Sequence, residues 1–232
     1  MPDTPDVLDQ SLVLSALSSF FGSVVALDAV DLKVGPGESV GVIGENGAGK
    51  STLLRSIARL HRRTSGSIEY GGHMLVNSSP DRVARLGITF VRDGGKAFEA
   101  LTIEEHLLLA ARLRRIRTGA AVDPDEVLAR FPVLSRLRTS TKAGYLSGGQ
   151  RQALCLAMAS ASGATCLLLD EPSAGLAEST AEQIFSVIGQ LASEGMSLLI
   201  AEQERRWLDG LTSRVVELEA GRVRGDSGQE HP

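Results

Sequence analysis

SVGVIGENGAGKSTLLRSIARL, residues 39–60, is the stretch whose reading decides the fold. Ser39 to Ile43 read as a short buried strand, and the residues after Lys50 place apolar side chains at helical spacing. Between them Gly44, Gly49, Lys50 and Ser51 satisfy the pattern G-x-x-x-x-G-K-[ST]. Glycines let such a loop curl so that successive backbone N–H groups point inward, at a helix N-terminus whose dipole favours anions. Strand, loop and helix in this order predict a phosphate cradle, lined by Gly44, Asn46, Gly47, Ala48, Gly49, Lys50, Ser51 and Thr52. In that cradle Lys50 reaches the β- and γ-phosphates and Ser51 holds Mg²⁺. The four motif positions recur by chance in roughly one chain in a hundred of this length. The flanking strand and helix make coincidence rarer still.

A nucleotide cradle of this kind needs a carboxylate on a neighbouring strand. CLLLDE, residues 166–171, supplies one: four apolar residues and then Asp170 and Glu171. They stand at the carboxyl end of a strand, where open α/β sheets place their ligands. Asp170 is expected to hold the Mg²⁺ through water, leaving Glu171 to polarise the attacking water. By itself an acidic pair after a strand is as often a mere strand end. The preceding phosphate loop favours the metal reading.

Outward from these two stretches the chain alternates. SLVLSAL (11–17), AVDLKV (29–34) and GSIEYGGHMLVN (66–77), the last turning on Gly71-Gly72, predict strands clustered near the N-terminus. LTIEEHLLLAARLRRIR (101–117) predicts a helix opened by a Thr102/Glu105 capping box, and DPDEVLARFPVLSRL (123–137) continues in short helical pieces. ATCLLLD (164–170), MSLLIA (196–201) and RVVELEAGRV (214–223) return to strands, separated by the helix ESTAEQIFSVIGQLASEG (178–195). Alternation of this kind predicts a parallel sheet interrupted by a mostly helical insert. The arginines 112, 114, 115 and 117 read as a solvated helix face aided by the dipole, or as a surface for a partner or anionic lipid. The RGD at 224–226 is a coincidence of a polar tail.

Bulk properties bound the rest. The chain has 232 residues, 43% hydrophobic, enough for one large domain with a real core. A net charge of -4 is spread along the length and gives no electrostatic footprint for nucleic acid. Cys155 and Cys166 sit inside apolar runs, as reduced core thiols do. No stretch is apolar over the roughly 18 residues that a membrane span requires. MPDTPDVLDQ, acidic and prolyl, is unlike a signal peptide.

YLSGGQRQALCLAMA, residues 145–159, carries a family resemblance. Ser147 and Gln150 form a second capping box, S-x-x-Q, which alone would only open a helix. LSGGQ, however, is the signature of ATP-binding cassette (ABC) ATPases. The order of phosphate loop, signature and LLLDEP resembles theirs over almost the whole chain. The resemblance implies an α/β fold: a P-loop NTPase (RecA-like) core at about 11–93 and 164–225, with an N-terminal antiparallel β subdomain. A helical subdomain at about 94–163 carries the signature, and a frayed tail covers 226–232, like the first ten residues.

The same resemblance implies ATP hydrolysis with Mg²⁺ in a head-to-tail pair of cassettes. Ser147, Gly148, Gly149 and Gln150 of one chain then meet the γ-phosphate bound by the other, so a monomer is nearly inactive. Phe21, in FFGSVVAL, corresponds to the aromatic that stacks on adenine; its alternative is a core phenylalanine. Asp93, in VRDGG, stands where most cassettes have a glutamine bound to Mg²⁺ and moving with the helical insert. Its anionic oxygen suits the metal better than an amide would. Ala177, in SAGLA, stands where many members have Asp. Gln203 occupies the place of a histidine that contacts the γ-phosphate; its amide can donate to a phosphate oxygen but cannot carry a proton. That leaves Glu171 as the general base.

GENGAGKST, DEPSAGLA and IAEQE are similar to the ATPase subunits of branched-chain amino-acid importers and their urea and amide relatives. Arg92 in place of a proline and GGKAF in place of a more basic run depart from that branch. The resemblance implies membrane-spanning permease partners, a second cassette of the same or a sister chain, and indirectly an extracytoplasmic solute-binding protein. It also implies a peripheral place on the cytoplasmic face of the membrane. A soluble cassette acting on DNA or ribosomes would carry a long coiled-coil insert or a tandem second cassette, and a small-molecule kinase would have no use for LSGGQ.

Overall fold

The computed structural model describes residues 10–228. The expected fraying of residues 1–9 and 229–232 falls outside the described residues. A hairpin of β1 (Leu12–Phe21) and β2 (Val24–Val34) precedes β3 (Ser39–Ile43), which leads through the glycine loop into α1 (Lys50–Ile57). β4 (Thr64–Tyr70) and β5 (His73–Met74) turn on Gly71-Gly72, followed by α2 (Pro80–Leu86) and β6 (Ile88–Val91). The helical stretch comprises α3 (Ile103–Thr118), α4 (Pro124–Ala129), α5 (Pro132–Ser135) and α6 (Gly148–Ala161). β7 (Cys166–Asp170), α7 (Glu178–Ser193), β8 (Ser197–Glu202), β9 (Arg214–Glu219) and β10 (Arg222–Asp226) complete the chain.

Two sheets result. The antiparallel one runs β2-β1-β4-β5, and the second runs β10-β9-β3-β8-β7-β6. β6, β7, β8, β3 and β9 are mutually parallel, as the alternation of strands and helices predicts, whereas β10 returns antiparallel on β9. Every residue of β7 and of β8 is buried. A parallel strand covered on both faces reads as a continuous apolar run, which is the composition of CLLLD and SLLIA.

Two apolar clusters fill the space on either side of this sheet. Leu168, Leu199 and Ala201 face α1 and the antiparallel sheet, packing with Leu53, Ile57, Leu14 and Tyr70. Leu167, Leu169, Leu198 and Ile200 face the helices, packing with Leu107, Leu154, Ala157 and Ile188. Residues of α3 to α6 thus share one core with α7 and the sheet.

The tail differs from expectation. Asp226 lies in β10 and pairs with Arg214, Ser227 donates its N–H to the Val215 carbonyl at 3.0 Å, and Gly228 N–H reaches Asp226 Oδ1 at 3.0 Å. Residues 226–228 are therefore held in the sheet, not frayed. The reason is Arg214, whose guanidinium also binds Glu38 at 2.8 Å and the Lys33 carbonyl. The arginine run of α3 is likewise split. Arg112 and Arg115 are exposed, but Arg117 donates to the carbonyls of Arg85 and Ser162 at 3.2 and 3.1 Å, tying α3 to its neighbours. Both cysteines are free; burial pushes the Cys155 thiol up to about 11 and that of Cys166 to about 12.

Candidate functional site

The glycine loop between β3 and α1 takes its shape from two close approaches to neighbouring backbone. Gly49 adopts φ +108 at the N-cap of α1, and a Cβ there would fall 2.8 Å from the Ala26 carbonyl. A Cβ on Gly44 would fall 2.3 Å from the Leu218 carbonyl. Only glycine admits such contacts without moving backbone. The β9–β10 turn supports the loop from below, Gly221 N–H donating to the Ala48 carbonyl at 2.9 Å. No side chain caps α1, so its first N–H groups remain available to an anion.

The resulting pocket, about 160 Å³, is lined by Ala26, Glu45, Asn46, Gly47, Gly49, Lys50, Ser51, Thr52 and Glu171. Of the residues assigned to phosphate from the sequence, Asn46, Gly47, Gly49, Lys50, Ser51 and Thr52 line it directly. Gly44 and buried Ala48 lie behind as spacers. Ala26, which the sequence reading missed, enters from β2 because that strand crosses the loop at Gly49.

Lys50 is buried to 4% exposure, and its ammonium donates to the carbonyls of Gly44 at 2.7 Å and Glu45 at 3.2 Å while pairing with Glu171 Oε1 at 3.2 Å. Ser51 Oγ donates to Asp170 Oδ1 at 2.7 Å. Asp170 is 1% exposed, and its Oδ2 has no hydrogen-bond partner; the Arg55 guanidinium, at 3.8 Å, is too far to serve. Burial raises the Asp170 pKa above the usual carboxylate value, opposed by Ser51 and Arg55 and reinforced by the charges of Asp93 and Glu171. An orphaned anionic oxygen beside a serine hydroxyl is the donor set a hard divalent cation takes. Asp93 is exposed, on the loop after β6, close enough for its charge to act on Asp170.

Glu171 sits at φ +45, a left-handed conformation unusual for a residue with a side chain, with its N–H held by the Ala201 carbonyl at 2.9 Å. Its Oε2 accepts from Gln203 Nε2 at 2.9 Å, and the same Nε2 donates to Asn46 Oδ1 at 2.9 Å. Gln203 therefore reaches the Glu171 carboxylate and the glycine loop at once. Its neighbour Glu202 was overlooked by sequence reading. It is 1% exposed and accepts from Ser173 N–H and Oγ, each at 2.9 Å, tying β8 to the loop after Glu171. Burial raises its pKa, against the pull of those donors and of the Gln203 N–H. A carboxylate closing a fully buried strand has to find such donors, which is the signal that could have exposed it.

Other expected residues lie apart from the pocket. Phe21 ends β1 at the hairpin tip, 51% exposed, its ring against the His61 imidazole with centroids 4.4 Å apart. Ser147 caps α6: its Oγ accepts from Gln150 N–H at 3.3 Å and its own N–H donates to Gln150 Oε1 at 2.9 Å. Gly148 and Gly149 open that helix against Leu176 and Thr180. None of these five residues lines the phosphate pocket of its own chain.

Phosphate loop, strand-end carboxylates and a separately capped signature helix on one parallel sheet define the class of ATP-hydrolysing cassettes. The chain belongs to the ABC transporter family, whose model matches residues 27–174. It is 39% identical to the high-affinity branched-chain amino acid transport ATP-binding protein BraG of Pseudomonas aeruginosa, over 91% of this chain and 90% of that one. It is 31% identical to the ribose import ATP-binding protein RbsA 2 of Mesorhizobium japonicum, over 92% of this chain but only 43% of that relative's length. A solved ATP-binding subunit of an ABC transporter superposes with a TM-score of 0.79 at 27% identity, covering 93% of this chain and 88% of the other. The chain is thus an ABC ATPase that binds and hydrolyses ATP.

Proposed function

We propose that this chain is the nucleotide-binding subunit that energises an ABC importer for branched-chain amino acids. The observation that carries the solute class is the similarity to BraG over nearly the full length of both chains. The IAEQE end of β8 agrees with it. The partners are membrane-spanning permeases, a second cassette and, at a distance, a solute-binding protein outside the membrane. The chain works peripherally, on the cytoplasmic face.

An apolar groove of about 480 Å³ supports a permease contact. It runs beside the Asp93 loop and is lined by Phe90, Phe98, Leu109, Leu113 and Met158, with Arg92 and Lys96 at hand. In this reading the helical part, residues 94–163, moves with that loop when the permease moves.

For chemistry, Lys50 and the loop N–H groups bind the phosphates, and Phe21 at the hairpin tip offers its ring to the adenine. Ser51 and Asp170, with Asp93 beside them, would hold Mg²⁺, which would offset the charge of the phosphates. Glu171 takes the proton of the attacking water. Ser147 to Gln150 of the opposite cassette complete the phosphate site from a helix N-terminus.

The test is to tag the chain in its own host, solubilise gently and identify the companions by mass spectrometry, then measure uptake of labelled leucine in a strain lacking it. Two permeases and a leucine uptake defect support the proposal. Recovery of soluble proteins alone removes the transport role, and normal leucine uptake with loss of another solute removes the solute class.

A further inference from the structure

The ring of Phe21 is backed on one face. It lies against the His61 imidazole, with centroids 4.4 Å apart and planes tilted by 33°, the spacing of an offset stack. The side chain is nonetheless 51% exposed, which leaves the opposite face to a ligand. An aromatic standing free at a hairpin tip would sample several rotamers, and a base landing on it would have to fix them. A backed ring is fixed beforehand.

His61 is itself held from two directions. Its N–H donates to the Arg55 carbonyl in the last turn of α1 at 3.1 Å, as does that of Leu60 at 2.9 Å. Arg59, at φ +59, turns the chain back, and its guanidinium donates to Thr64 Oγ1 at 3.0 Å. From the other side Phe20 N–H donates to the Arg63 carbonyl at 3.0 Å, which fastens this turn to β1 beside Phe21. α1 begins at Lys50, so the turn that supports the ring continues from the helix that opens at the phosphate loop. The imidazole Nε2 is buried and has no hydrogen-bond partner among the described residues. A polar atom left in that state costs stability, and the contact with Phe21 is what the imidazole provides in return.

We infer that His61 is a positioning residue for the base of the nucleotide, holding the Phe21 ring as a fixed platform in register with the phosphate loop. The inference rests on the reading of Phe21 as the ring that meets the adenine. The contribution of His61 belongs to the base, so it shows in ATP affinity and not in phosphate binding or in the chemical step.

The experiment uses the purified full chain and measures affinity for ATP and for inorganic tripolyphosphate by displacement of a fluorescent ATP analogue, together with steady-state hydrolysis. The variants are His61→Ala, His61→Phe, Phe21→Ala and the double alanine variant, with melting curves to check folding. We expect His61→Ala to weaken ATP binding and raise KM about threefold to tenfold, the size of one aromatic contact, with kcat at saturating ATP within about twofold. Tripolyphosphate affinity should not change, and His61→Phe, which keeps a flat ring, should restore ATP affinity. The double variant should bind ATP no more weakly than Phe21→Ala alone, since both changes act through one ring. Unchanged ATP affinity in His61→Ala while Phe21→Ala weakens it overturns the platform role. So does an equal loss for ATP and tripolyphosphate, which would make His61 a support of the turn only, or a full further loss in the Phe21→Ala background. Unchanged ATP affinity in Phe21→Ala instead removes the adenine reading itself, a distinct result.

Discussion

At the scale of single residues, Asp170 shows most directly how function opposes stability. Its carboxylate is buried, its Oδ2 lacks a donor, and its pKa is raised chiefly by burial. A carboxyl whose folded pKa lies above its unfolded value of 3.8 weakens the fold at neutral pH, and the penalty fades as pH falls through the raised folded pKa. Asp170→Asn is therefore expected to stabilise the metal-free protein by about 1 kcal/mol at pH 7.5 while abolishing turnover. The gain should shrink as the pH is lowered, and Mg-ATP should stabilise wild type but not the variant. Thermal melts across pH, with and without Mg-ATP, measure both; a variant less stable than wild type at pH 7.5 would refute the orphaned-charge account. The spacing of Gly44, Lys50, Ser51, Asp170 and Glu171 was legible in the sequence because each chemistry requires one residue type at one place. What was not legible lies in contacts between distant segments: Gln203 on Asn46 and Glu171, Glu202 on Ser173, Ala26 at the loop. No local pattern encodes those pairings, which the sheet order brings about.

At the scale of elements, helix ends separate structural from functional need. α3 and α6 open with equivalent capping boxes, Thr102/Glu105 and Ser147/Gln150. Thr102→Ala and Ser147→Ala should each cost about 1 kcal/mol in denaturant unfolding. Only Ser147→Ala should lower ATP hydrolysis, by more than tenfold, if its helix end completes a phosphate site. Equal activity losses in the two variants would reduce Ser147 to a cap. α7 supplies the converse case: Ala177 is its N-cap, at φ −65 and ψ 146, and makes no side-chain bond. This backbone suits an Asp cap, so Ala177→Asp should raise stability by about 1 kcal/mol, read from the same denaturation curves. The position occupied by alanine here is thus weak for the helix. Elements with caps and long periodicity, such as α3 and α6, were readable from sequence. α2 went unread although Ser79 and Pro80 mark its start, because seven residues hold too few periodic positions. Asp226, the last residue of β10, was taken for tail because its order comes from Arg214, twelve residues earlier, and not from its own composition.

At the scale of the whole molecule, the phosphate pocket and the signature lie apart. The phosphate pocket draws on β2, the glycine loop, α1 and Glu171, while the signature presents the exposed, capped N-terminus of α6 outside that pocket. A second chain related by a two-fold axis would match each half with its complement, twice, which is the self-complementary arrangement of symmetric pairs. Lys50→Ala removes the cradle but leaves the signature, whereas Ser147→Arg blocks the signature but leaves the cradle. Each variant alone should be nearly inactive. Mixed in equal amounts, half of the pairs combine the two variants and hold one intact site of two, so activity should recover to about a quarter of wild type if sites act independently. The recovered rate per chain should rise with protein concentration and level off once pairing is complete. Recovery on mixing makes two copies of this chain the working pair. If the mixture stays silent while wild type is active only on addition of a sister cassette, the working pair is a mixed one, and each site then joins the cradle of one gene product to the signature of another.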